Sequence, residues 1–222
     1  MDNETKKDLD LQHSHWEKHW DHSKNPQSFF ESPSNAVKIA AKQFKKKGNT
    51  KVLELGGGLG RDTLYLAKQG FQVHVLEYTE KGVQTIRDKA KAAGLIDSII
   101  VIQHDVRESL PFEKDYFDYC FSHMLYCMAF TNKELEFLSQ EIKRVLKQSA
   151  INVYTVRNTK DSMFGTGTHK GGNMYEIQGF IINFFDEIMI KRLSKGFELL
   201  EINEFEEGEL PKRLYSVTLK KI

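Results

Sequence analysis

The run with the clearest chemical potential is Glu54-Leu55-Gly56-Gly57-Gly58-Leu59-Gly60. Glycines at 56, 58 and 60 let the backbone turn sharply and approach a ligand with no Cβ in between. Two acids follow at positions that read as strand ends: Glu77, 21 residues beyond Gly56, and Asp105, closing Ile99-Ile100-Val101-Ile102-Gln103-His104-Asp105. A carboxylate at the end of a second strand can accept hydrogen bonds from both hydroxyls of a ribose. The spacing argues against two nucleotide readings. A dinucleotide fingerprint wants a glycine where Arg61 stands, and a phosphate-binding P-loop wants Gly-Lys-Ser/Thr where the chain has Gly60-Arg61-Asp62-Thr63.

The E-x-G-x-G-x-G run with its two acids resembles the first motifs of the class I S-adenosylmethionine-dependent methyltransferases. The resemblance implies S-adenosyl-L-methionine as cofactor, held by Glu54, Gly56, Gly58, Gly60, Glu77, Tyr78, Asp105, Val106 and Ser122. Within that set Glu77 would take the ribose, Asp105 the adenine amino group and the Val106 amide the ring. Arg61 is either a partner for the cofactor carboxylate or a surface ion pair. The chain departs from the family at Leu146-Lys147-Gln148-Ser149-Ala150, where a Leu-Lys-Pro-Gly-Gly turn is common. Phe197 to Lys221, with Val156-Arg157-Asn158, resembles the small-molecule methyltransferases of the tellurite-resistance type, which implies a thiol or chalcogen oxyanion as methyl acceptor.

Methyl transfer from a sulfonium is an in-line displacement that needs alignment, exclusion of water and, for a poor nucleophile, removal of a proton. His123, directly after the fourth strand, is the candidate base, and a hydrogen-bonded core histidine is the equal alternative. Arg157 is a second catalytic candidate, as an anchor for an anionic acceptor or as the partner of an acid. No proline lies between Pro111 and Pro211, so the Asn/Asp-Pro-Pro signature of base and glutamine methylation is missing, and neither cysteine follows a proline. Trp16, Trp20, Tyr126, His169 and Tyr175 are the candidate walls of a substrate pocket. His15, His19 and His22 share one helical face, but an aromatic lid explains that segment better than zinc, and no metal site is expected.

The elements that must position these groups alternate. Strands are expected at 52–55, 71–76, 99–102, 116–122 and 151–156, and helices over 63–69, from Thr79 to Ala93, and from Thr131 onward. Ser32-Pro33 reads as the start of an earlier helix that Gly48 ends. The last two strands, 197–205 and 214–219, are too close in sequence for a crossover helix and should pair antiparallel. The fold class is therefore α/β: a Rossmann-like, seven-stranded, mostly parallel sheet with helices on both faces and a C-terminal antiparallel hairpin. Residues 1–34 form an N-terminal helical lid segment and 35–222 the S-adenosylmethionine-binding methyltransferase domain. Residues 158–180 read as a glycine-rich loop inserted as a second lid.

The 222 residues carry 32 Lys+Arg against 31 Asp+Glu, a balance that argues against nucleic acid as a partner held by field strength. Cys120 and Cys127 are too few for a disulfide scaffold and fit a reducing compartment, and the charged start has no apolar signal core. The expectation is a cytoplasmic enzyme, monomer or homodimer, acting on a small molecule away from membranes. The alternatives are the same chemistry on RNA or protein, and a non-catalytic S-adenosylmethionine-binding module. An NAD oxidoreductase is disfavoured by the glycine spacing.

Overall fold

A computed structural model describes residues 3–22, 32–45, 50–208 and 212–222. The chain runs α1 (Asn3–His22), α2 (Asn35–Lys45), β1 (Lys51–Leu55), α3 (Arg61–Lys68), β2 (Gln72–Glu77) and α4 (Glu80–Ala92). It continues with β3 (Ile99–Gln103), β4 (Phe117–His123), α5 (Asn132–Val145) and β5 (Leu146–Arg157). After β6 (Thr168–Gly171), β7 (Met174–Ile177) and β8 (Phe180–Asn183) come α6 (Glu187–Leu193), β9 (Phe197–Glu207) and β10 (Lys212–Lys221).

Seven strands form the central sheet in the order β3-β2-β1-β4-β5-β10-β9. The first five are parallel, and β10 pairs antiparallel with both β5 and β9, as the short final connection requires. The order reverses between β1 and β4, and at such a switch point the carboxyl ends of the strands leave a crevice. Helices cover both faces. Val37, Phe44, Leu66 and Ile86 from α2, α3 and α4 join one core cluster. Leu135, Leu138 and Ile142 from α5 and Ile190 from α6 join the other.

Local signals set several boundaries. Thr79 caps α4 by accepting from the Gly82 amide at 3.2 Å. Thr131 and Glu134 form the reciprocal capping box of α5. The start of α2 differs from the expectation: Ser34, not Ser32, accepts from the Val37 amide at 3.0 Å. Asp62 selects Ser34, taking its amide at 2.7 Å and its hydroxyl at 2.8 Å. The Gly48 stop lies outside the described residues.

The segment expected as a loop differs more. From Thr168 the chain forms a second sheet, with β7 antiparallel to both β6 and β8. Its glycines at 171, 172 and 179 hold the two tight turns at φ 101, 56 and 84°. The short helix α6 also had no expectation. No helix among the described residues is long and apolar enough to cross a membrane.

Candidate active site

The glycine run leaves β1 as a turn with Gly56, Gly58 and Gly60 at φ 72, 54 and 83°. These values are left-handed and disfavour any side chain. Gly57 is required for space, because a Cβ there would lie 2.4 Å from Val75 Cγ2 and 2.9 Å from Ile86 Cδ1. The Gly56 amide donates to Leu76 O at 2.8 Å, clamping the turn onto β2.

Glu77 ends β2 with its carboxylate buried. Oε2 accepts from the Gly58 amide at 2.9 Å, and Oε1 accepts from the Thr79 amide at 2.9 Å and the Thr79 hydroxyl at 2.6 Å. Burial pushes this carboxyl above its ordinary range, and the three donors oppose the shift. Glu54, in the middle of β1's carboxyl half, is pushed up to about 8, first by burial and then by the charge of Asp62. Its Oε2 has no hydrogen-bond partner among the described residues, and neither has the buried hydroxyl of Ser122 on the adjacent β4.

Asp105 lies just beyond β3. Burial would raise its carboxyl, but hydrogen bonds from Arg107 outweigh that and hold it below the usual range. Arg107 Nη2 approaches to 2.7 Å. Val106 beside it is buried. The Tyr78 carbonyl accepts from Gln103 Nε2 at 3.2 Å and lies 3.2 Å from His13 Nε2. Burial, with the nearby carboxylates of Glu77 and Asp105, raises the Tyr78 phenol above its ordinary value.

Helix α1 lies over this edge. The Trp20 ring comes within 3.4 Å of where a Gly58 Cβ would stand. The ring of Trp16 lies 5.5 Å from that of Trp20 and 4.7 Å from Phe180 at the start of β8. Gln12 ties helix to sheet, donating to Gly179 O and accepting from the Ile181 amide, each at 3.1 Å. Glu17 accepts from the Glu80 amide at 2.6 Å, at the start of α4 where a negative charge suits the helix dipole. His169 and Tyr175 face one another across β6 and β7, ring centroids 5.1 Å apart, and His169 is exposed.

At the end of β4, His123 Nδ1 lies 2.9 Å from Thr155 Oγ1 and Nε2 lies 3.1 Å from Glu207 Oε2. Glu207 is also 3.5 Å from Arg61 Nη2. One expected pocket residue, Tyr126, and one catalytic candidate, Arg157, lie in the interior. Tyr126 is 1% exposed and stacks on Tyr154 at 4.4 Å, so its apolar ring packs in the core rather than lining a pocket. Arg157 is buried and gripped by Asp161, Nη2 to Oδ1 at 2.7 Å and Nε to Oδ2 at 3.1 Å. Asp161 also accepts from the Met163 and Arg213 amides. That alternative, pairing with an acid, is the one the fold adopts, because a buried guanidinium must be paired. Cys127 is held near 11 by burial, which keeps it a thiol.

Residues 52–149 match the family model described as a methyltransferase domain.

The match covers less than half of the chain and contains the glycine turn, Glu77 and Asp105.

Solved methyltransferases share its fold. The 1,6-didemethyltoxoflavin-N1-methyltransferase of Burkholderia thailandensis, solved with S-adenosylhomocysteine, superposes with a TM-score of 0.74 at 16% identity, over 95% of this chain and 87% of that one. TehB from Haemophilus influenzae gives 0.67 at 18% identity, over 93% and 67%. A curated relative, the 23S rRNA (uracil(747)-C(5))-methyltransferase of Pyrococcus abyssi, is 36% identical over 77 residues. Those residues are 34% of this chain and only 19% of that relative.

Around this site, sequence reasoning missed Glu207, Phe180, Thr155 and Asp161. Glu207 is 84 positions from His123, and no local pattern marks it. Phe180 carried one signal, as the first aromatic after the glycine at 179.

Proposed function

We propose that this protein transfers the methyl group of S-adenosylmethionine to a small-molecule nucleophile, of the thiol or chalcogen-oxyanion kind. The observation that carries the cofactor is the joint between the Gly58 amide and Glu77, beside the unpartnered Glu54 Oε2 and Ser122 Oγ. A backbone free of Cβ atoms and a buried acid, Glu54, with an unpartnered oxygen fit an adenosyl amino acid, whose ribose hydroxyls and ammonium are donors. S-adenosylmethionine supplies an electrophilic methyl on a sulfonium.

This chain's residues bind and orient. Gly56, Gly58 and Gly60 admit the ligand, Glu77 accepts from the ribose, and Asp105 with Val106 borders the adenine. Tyr78 and Ser122 complete that wall. Trp16 and Trp20 on α1, meeting Phe180 on β8, exclude water from the reacting centre. His169 and Tyr175, paired across β6 and β7, are the further pocket candidates of this reading. His123 is the titratable ring on the acceptor side, and a soft anionic acceptor would need little general-base help from it. A fold neighbour supports a small acceptor: it is a 1,6-didemethyltoxoflavin-N1-methyltransferase solved with 1,6-didemethyltoxoflavin bound.

The RNA reading draws on the curated relative's name, over a third of this chain. The near-zero net charge favours the small molecule.

Calorimetry with S-adenosylmethionine and S-adenosylhomocysteine, against NAD as control, tests the cofactor. Binding of both adenosyl ligands and not NAD is expected, followed by turnover on thiols, selenite or tellurite. Preference for NAD overturns the reading. Adenosyl binding without turnover on any acceptor supports the non-catalytic module, and a salt-dependent shift of RNA on a gel supports the RNA enzyme.

A further inference from the structure

We propose that Glu207, the last residue of β9, is a positioning residue for the acceptor side of the site, fixing the His123 ring and the Arg61 guanidinium across the switch point. The proposal rests on the methyltransferase reading for its purpose, though not for its geometry. Glu207 comes from the edge strand of the sheet and faces Lys212 across the hairpin. Its side chain is only 13% exposed. One carboxylate oxygen, Oε2, lies 3.1 Å from His123 Nε2 at the end of β4, and the other lies 3.5 Å from Arg61 Nη2 at the start of α3. A single side chain from the C-terminal hairpin therefore bridges the element that follows the glycine turn and the strand that faces the acceptor.

The hydrogen-bond network orients the ring. The Thr155 hydroxyl oxygen accepts from the Met124 amide at 3.0 Å, leaving its proton to donate to His123 Nδ1 at 2.9 Å. His123 Nε2 faces Glu207 Oε2 at 3.1 Å, a close approach in which neither atom has a hydrogen-bond partner among the described residues. The ring is thus tied to Thr155 through Nδ1 and turned with Nε2 toward the Glu207 carboxylate. The charged groups facing Glu207 are His123 from β4, Arg61 from α3 and Lys212 from β10. Lys212 in turn faces Arg157 and Cys127. Burial would raise the Glu207 carboxyl, and His123, Arg61 and Lys212 together pull it below the usual range. It stays ionised at neutral pH and places a negative charge beside His123 and Arg61.

The test is the NMR spectrum of the His123 ring in the full chain at one fixed pH, its signal assigned by loss in His123→Asn. Glu207→Gln removes the charge 3.1 Å from Nε2 and nearly preserves the shape, so the ring signal should move. Glu206→Gln, one residue away and paired with exposed Arg213, should leave the signal in place. Glu207→Asp keeps the charge and should restore part of the change. A ring signal unchanged in Glu207→Gln, or moved as far by Glu206→Gln, overturns the proposal. Failure of the wild-type chain to bind S-adenosylhomocysteine by calorimetry would sink the methyltransferase reading separately, whatever the ring signal does.

Discussion

The amide of Gly58 donates to Glu77 Oε2 at 2.9 Å, so the turn after β1 and the end of β2 are one hydrogen-bonded unit. Thr79 closes the other side of the same carboxylate. The acid is thus preorganised before any ligand arrives, and its side chain cannot rotate away without orphaning two amides. Glu77→Ala should weaken S-adenosylhomocysteine binding by about 100-fold, the value of one or two charge-assisted hydrogen bonds. Calorimetry reads this directly, and an affinity within threefold of the parent would show that Glu77 serves only the turn.

Glycines in the same region have different reasons to be glycine. At Gly57 the obstacle is Val75, 2.4 Å from an added Cβ, so Gly57→Ala must push β2 or α4 aside. Overpacking of this kind costs about 1–3 kcal/mol. Gly70 has open space and only an unfavourable φ of 90°, so Gly70→Ala should cost about 1 kcal/mol through strain alone. Urea denaturation of both variants should rank Gly57→Ala as the more destabilised, and the reverse order would contradict the packing argument.

Docking of α1 should depend on pH. Burial, with the charge of neighbouring His15, lowers the His19 pKa from 6.5. The docked helix therefore favours neutral His19, and its docking is full above about pH 6.5 and weakens as pH falls below that value. Trp16 and Trp20 are the two tryptophans of the chain and both lie on α1, so intrinsic fluorescence reports this helix alone. Emission should shift red, with greater acrylamide quenching, between pH 7.5 and 5.5, and His19→Gln should flatten the change. Identical quenching at both pH values in the parent would refute the dependence.

Glu54 carries a proton in the unliganded protein at neutral pH, because its pKa is pushed up to about 8. An acid raised in the folded state adds stability below its ordinary value of 4.5 and loses it as pH rises toward about 8. Glu54→Gln should therefore melt higher than the parent at pH 9 and gain little at pH 4. A ligand ammonium near Oε2 would favour the ionised form, so S-adenosylhomocysteine binding at pH 7 should release a proton. Calorimetry in buffers of differing ionisation enthalpy measures that release, which Glu54→Gln should abolish.

Legibility in the sequence followed the range of the interaction. The five parallel strands, the Thr79 cap and the Thr131–Glu134 capping box depend on residues within a few positions of each other, and each was readable. The β6–β8 sheet was not, because strands of four residues between glycines carry too little periodicity to separate from a loop. Tyr126 and Arg157 have side chains suited equally to a pocket or to the interior. Only the presence of Tyr154 and Asp161 beside them decided for the interior.

By itself, the sequence determined the α/β architecture, the turn of Gly56, Gly58 and Gly60, and the acids at the strand ends, because backbone sterics and strand periodicity are local. The tertiary structure decided which polar groups meet. It brought Glu207 from the last hairpin to His123 and Arg61, laid Trp20 against Gly58, and set α1 on β8. Buried donors and acceptors must be satisfied wherever the packed chain brings them together, and that placement is a property of the whole fold.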